Sequence, residues 1–200
     1  MSFLSGFFGP KRDVVWQRLA DEVGGNFFEG GLWLGDSKVR AHVGGWMVTL
    51  DTYRNDHGTT FTRIHAPYIN TGDFTFTLFR QGSFEEKHRT DREDVEISQA
   101  DFDEAFVIKS NNIQRVKQLF EDEKIRQLLT RQREVHLHAR HDEGWFNKEF
   151  PHGMHELSLE ARGEIKSLDR LKELYELFGE TLQQLCRIGA AADRDPGIVI

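Results

Sequence analysis

The sequence predicts an α+β fold: an antiparallel sheet of about seven to eight strands, a long C-terminal helix packed across one face, and an N-terminal helix nearby. Two observations carry that expectation. Short segments of alternating apolar and polar residues succeed one another through tight Gly- or Asn-containing turns, without the strand–helix–strand alternation of a parallel sheet. Near the C-terminus a long segment then keeps helical spacing throughout.

In chain order, Asp13 is a suitable N-cap for a helix carrying Val15, Trp16, Leu19, Ala20 and Val23, and Gly24-Gly25 ends it. The period then changes. "KVRAHV", Gly44-Gly45 and "WMVTLDTY" read as a hairpin, "TTFTRIHA" as a third strand closed by Pro67, and "FTFTLFR" as a fourth, which together make a meander. "NFFEGGLWLG" adds a candidate fifth strand. Residues 85–94, "EEKHRTDRED", form a solvated loop. In the following strand Phe102, Phe106 and Ile108 share one face, and Asp103 is placed to form a turn through its carboxylate.

A helix starts at Asn111 or Asn112 and carries Ile113, Val116, Leu119 and Phe120; a second carries Ile125, Leu128 and Leu129. "EVHLHAR" and "HELSLEARGEI" are two further strands. The last helix runs from about Leu168 to Ala191 with Leu171, Tyr175, Phe178, Leu182 and Leu185 on one stripe. A stripe this wide suits docking onto the chain's own sheet better than a coiled-coil seam, with a homodimer through this helix as the other use.

Composition narrows the function classes. A formal charge of −7 with no basic stripe argues against nucleic-acid binding. The single Cys186 excludes an intramolecular disulfide framework and fits a reducing, cytoplasmic setting. No apolar run approaches the roughly 20 residues that span a bilayer. Phe3, Leu4, Phe7 and Phe8 fall on one side of a helical turn, a weak membrane-surface foot at most. One domain over residues 1–200 is expected, because a single core can grow to this size.

"EDVEISQADFDEAFVIKSNN" resembles a family of bacterial proteins of unknown function, through Asp94, Val95, Ile97, Phe102, Asp103, Phe106, Ile108, Lys109, Asn111, Ile125 and Arg126. The resemblance extends to Trp16, Leu19, Ala20, Glu22, Gly24 and Gly25 near the start, and to Leu182, Leu185, Ile188, Gly189 and Ala191 near the end. It implies a soluble single-domain bacterial protein and brings no activity with it.

Two groups of residues are candidates for a site. "EVHLHARH" places His136 and His138 on one face of a strand, about 6.5–7 Å apart, with His141 at its end. Two imidazoles at this spacing can share a metal, with His141 curling in and His65 or His155 as a further ligand. Val135, Leu137 and Ala139 form the opposite, apolar face, so the pattern favours a solvated histidine face over a metal centre. The second group, Trp46, Phe61, Phe74 and Phe76, could line an apolar pocket beneath the long helix. No glycine-rich phosphate loop, nucleophile elbow or H-E-x-x-H helix is present, and no cofactor is expected. The function expected is a non-enzymatic module binding a partner protein or an apolar small ligand; the alternative is a metal-dependent enzyme using His136, His138 and His141.

Overall fold

Helix α1 (Arg12–Val23) begins one residue before the expected cap: Lys11 is the N-cap, and Asp13 lies in the first turn, where its charge favours the helix dipole. Gly24 closes the helix in the left-handed region at φ 67°, as the Gly-Gly pair requires. Gly25 has a different job. A Cβ there would stand 2.5 Å from the carbonyl oxygen of Arg40, so only glycine lets the chain cross the sheet this closely. The computed structural model describes residues 11–31, 36–83, 94–141, 153–194 and 196–198. The residues of the suggested membrane foot, Phe3, Leu4, Phe7 and Phe8, lie outside them, as does nearly all of the charged 85–94 stretch.

The remaining elements are β1 (Asn26–Phe28), β2 (Lys38–Val43), β3 (Trp46–Arg54), β4 (Thr60–Ile69), β5 (Phe76–Arg80), α2 (Ala100–Ala105), β6 (Phe106–Ser110), α3 (Ile113–Phe120), α4 (Glu123–Arg131), β7 (His136–Arg140), β8 (Met154–Arg162) and α5 (Leu168–Arg187). The eight strands form one sheet in the order β1-β2-β3-β4-β8-β7-β5-β6, with every adjacent pair antiparallel. The α+β class and the sheet of the sequence reading are thus observed. The four-strand meander is not. It stops at β4, and β8 and β7 enter between β4 and β5, a long-range pairing that local patterning cannot reveal.

Two local expectations change for identifiable reasons. Pro67 does not close β4, which continues to Ile69. The β3 ladder ends at the Thr49–His65 pair, so Pro67 sits where one side of β4 has become an edge and a missing N–H is tolerated. Phe102 belongs to the short helix α2 and not to the strand of Phe106 and Ile108, although all three are buried. Asp103 forms the turn that starts this segment, accepting hydrogen bonds from the N–H groups of Ile97 and Gln99.

Side-chain caps set the remaining helix starts: Asn112 for α3, Asp122 for α4 and Ser167 for α5 each accept a backbone N–H of the first turn. On α5, Leu171, Leu174, Phe178, Leu182 and Leu185 are buried against β4 and β8, with α1 and α4 alongside. Each such side chain contributes about 1.5–3 kcal/mol on burial. The stripe is consumed within the chain, so it does not serve as a dimer seam. Among the described residues no helix is long and apolar enough to cross a membrane.

Candidate functional site

Strand alternation sorts the sheet into two faces. Val48, Leu50, Ile64, Ala66, Leu157, Leu159, Leu137 and Leu78 belong to the core cluster that also contains the buried helix residues. The residues between them point the other way, and that face is charged. One row across it reads Asp51, Arg63, Glu160, His136 and Phe79, each paired in register with the next. The adjacent row reads Thr49, His65, Ser158, His138 and Thr77, and a shorter one Pro67, Glu156 and Arg140.

This polar face is not wet. His136 is 9% exposed, His138 4% and His65 1%, which overturns the solvated face expected for the "VHLHARH" strand. Arg63, Glu160, Ser158 and Thr49 are buried as well. Most of the charged members of this face are paired with one another, while the Ser158 hydroxyl has no hydrogen-bond partner and His65 is held by ion-pair contacts alone. The Arg63 guanidinium grips Asp51 through two hydrogen bonds of 3.0 and 2.7 Å. His65 bridges two acids, with Nε2 3.4 Å from Asp51 and Nδ1 3.5 Å from Glu156. His136 Nδ1 lies 3.2 Å from one Glu160 oxygen and His138 Nε2 lies 3.5 Å from the other.

Protonation follows from these contacts. Burial alone would push the Asp51 carboxyl up, but hydrogen bonds from His65 and Arg63 outweigh it and hold the group well below the usual range. Burial works against a charged His65, yet Asp51 and Glu156 prevail and raise its pKa. Glu160 is likewise kept ionised: the two histidines overcome its burial. His138 goes the other way, down to about 4, because burial dominates and His136 lies beside it. Two buried histidines on the strands that flank β8 are thus driven in opposite directions, His65 up and His138 down.

The three histidines proposed as a metal set do not meet. His141 is exposed and joins Asp73 and His155: its Nε2 is 2.6 Å from Asp73 Oδ1, and its ring lies tilted by 50° against that of His155 with centroids 3.9 Å apart. The partner that His136 and His138 do share is Glu160, which the sequence reading left out. So were Asp51 and Arg63. Their signal was parity: Arg63 and His65 are spaced i, i+2 on the non-core side, and Asp51 has the same parity one strand away.

The aromatic set does not converge either. Trp46, Phe74 and Phe76 are buried in the core cluster, Phe74 and Phe76 stacked with centroids 5.5 Å apart. Phe61 lies on the charged face, stacked on Tyr53 at 5.4 Å. Two shallow clefts among the described residues lie elsewhere, one beside Val23, Lys172 and Tyr175 and one beside Arg12, Thr52 and Glu164. Cys186 is half-buried in α5, and burial pushes its thiol up, away from nucleophilic use.

No family model matches the chain, and no curated protein matches it in sequence. A solved structure does share the architecture: the mycobacterial trehalose monomycolate transport factor A, TtfA, superposes with a TM-score of 0.52. The match covers 86% of this chain and 95% of that one at 11% identity, so what it shows is the fold.

Proposed function

We propose that the chain is a non-enzymatic binding module whose working residues are the buried charged array on the sheet face opposite the core. One observation carries this reading: ionised and imidazole side chains, Asp51, Arg63, His65, Glu160, His136 and His138, are held with little or no exposure on the face opposite the core. Burying such charges is costly even when they are paired, and apolar residues of similar size would serve stability as well or better. Groups kept at that cost, with pKa values driven apart, mark working surfaces. Of the aromatic residues that could have received an apolar ligand, Trp46, Phe74 and Phe76 are committed to the core and Phe61 to its stack with Tyr53. TtfA, which shares the fold, is named as a transport factor, and a non-catalytic role agrees with that name.

The test exchanges the central pair for apolar residues of similar bulk, Asp51→Leu with Arg63→Met. The expected result is an unchanged or higher urea midpoint, together with failure to restore competitive fitness to a strain lacking the gene. Full restoration by a stable double variant would show that the array has no working role. A large loss of stability would make it structural and remove the observation on which the reading rests.

A further inference from the structure

We infer that His136, His138 and Glu160 form a binding site for a divalent first-row transition metal ion, of the type that takes two imidazoles and one carboxylate. The inference rests on the charged face being the working face, and it adds the ligand class. One ligand atom from each of the three residues lies within 4.8 Å of the others. His136 Nδ1 is 3.2 Å from one Glu160 oxygen and His138 Nε2 3.5 Å from the other, each close to the ~3.4 Å between two ligand atoms placed tetrahedrally at ~2.1 Å from a metal. The donors come from adjacent antiparallel strands in register, His136 directly opposite Glu160, so the sheet itself fixes the spacing.

The surroundings fit an ion as well. Thr77 Oγ1 lies 2.8 Å from His136 Nε2, where an outer partner orients the ring and leaves Nδ1 to face Glu160. Ser158, directly across from His138 on the same face, has a fully buried hydroxyl with no hydrogen-bond partner. A positive charge already stands beside His138: the Arg140 guanidinium places Nε 2.9 Å from Nδ1 and a terminal nitrogen 2.8 Å from Nε2, and the neutral ring has one lone pair with which to accept. Arg140 is an exposed residue at the strand end, free to leave. An entering ion takes its place, so the metal and Arg140 compete for His138.

The neighbouring cluster of Asp73, His141 and His155 has similar ligand separations and fails on proton placement. Asn70 exchanges two hydrogen bonds with the backbone of Phe74, which fixes its amide, and the same NH₂ group points at His155 Nδ1 from 2.8 Å. Nδ1 therefore accepts, and Nε2 of the neutral ring carries the proton, directed at Asp73 at 3.2 Å. An ion on Nε2 would move the proton of the neutral ring to Nδ1, where it would meet the Asn70 NH₂ donor, whereas the Nε2 proton of His136 would meet Thr77 Oγ1, which can accept it.

Untagged full-length protein titrated with Zn²⁺, by calorimetry and equilibrium dialysis, tests the site. One saturable equivalent is expected. Glu160→Gln and His136→Gln should each weaken it by more than the ~10–100-fold that loss of an outer partner costs. His141→Ala should leave it unchanged, and Arg140→Gln should tighten it. Imidazole ¹⁵N spectra of the unsubstituted protein supply a readout that does not depend on a variant folding: Zn²⁺ should shift His136 and His138 and spare His155. Absence of saturable Zn²⁺ binding, or binding that follows His141 or survives both ligand substitutions, would overturn the site. That failure is distinct from restoration of fitness by the Asp51→Leu, Arg63→Met chain, which would overturn the binding face itself.

Discussion

Arg63 is the cation on which the charged face depends, and removing it alone should be far more damaging than removing it with its partner. Its guanidinium makes both hydrogen bonds to Asp51 and also feels Glu156 and Glu160. Arg63→Met would leave these three carboxylates without the guanidinium that faces all of them. Side-chain exposure is 8% for Arg63 and 18% for Asp51, so the pair belongs with buried ion pairs and not with surface bridges. Breaking such a pair from one side costs about 3–5 kcal/mol, whereas replacing both partners is often neutral or stabilising by about 1–4 kcal/mol.

Urea melts of the wild type, both single variants and the double variant, analysed as a double-mutant cycle at pH 7, give the coupling directly. Asp51 adds a pH signature. Its folded pKa is depressed, so its contribution is complete above the unfolded value near 3.9 and disappears as pH falls through the folded value. In Arg63→Met that depression is smaller. The variant's deficit should therefore be fully open at neutral pH and narrow on acidification. An Arg63→Met cost below about 1 kcal/mol, the range of exposed bridges, would refute the reasoning and return the face to solvent.

Two further outcomes follow from the same geometry. Leu137 is fully buried on the core face, in register with Leu159 and Leu78, so Leu137→Ala should cost about 2–5 kcal/mol in urea melts, and a cost under about 1 kcal/mol would mean that the strand is looser than described. His65 has a raised pKa, so its contribution is fully present below the unfolded value near 6.5 and is lost as pH rises through the folded value. Wild-type stability should decline on that account between neutral and alkaline pH, and His65→Gln should remove that part of the slope; an unchanged slope would show that His65 does not titrate there.

Local information was enough for the elements. Period-2 alternation, the Gly44-Gly45 turn, the Asn112 cap and the wide stripe of α5 are properties of contiguous residues, so the strands, the hairpin and the docking helix could be read directly. The same parity separated His136 and His138 from Val135, Leu137 and Ala139. What that polar side would face could not be read this way. Whether such a side meets water depends on what stands beside it, and β7 lies between β8 and β5, strands whose relevant residues are 22 or more and 59 positions away. Only that pairing brings Glu160 to His136 and Arg63 to Glu160, and only the assembled array lowers the pKa of His138 by burial while Asp51 and Glu156 raise that of His65. The aromatic residues show the converse: Trp46 and Phe61 look equivalent in sequence, and strand parity within the assembled sheet puts one in the core and the other on the charged face. Alternation is a property of a strand; the identity of its neighbours, and hence the chemistry of a face, is a property of the sheet.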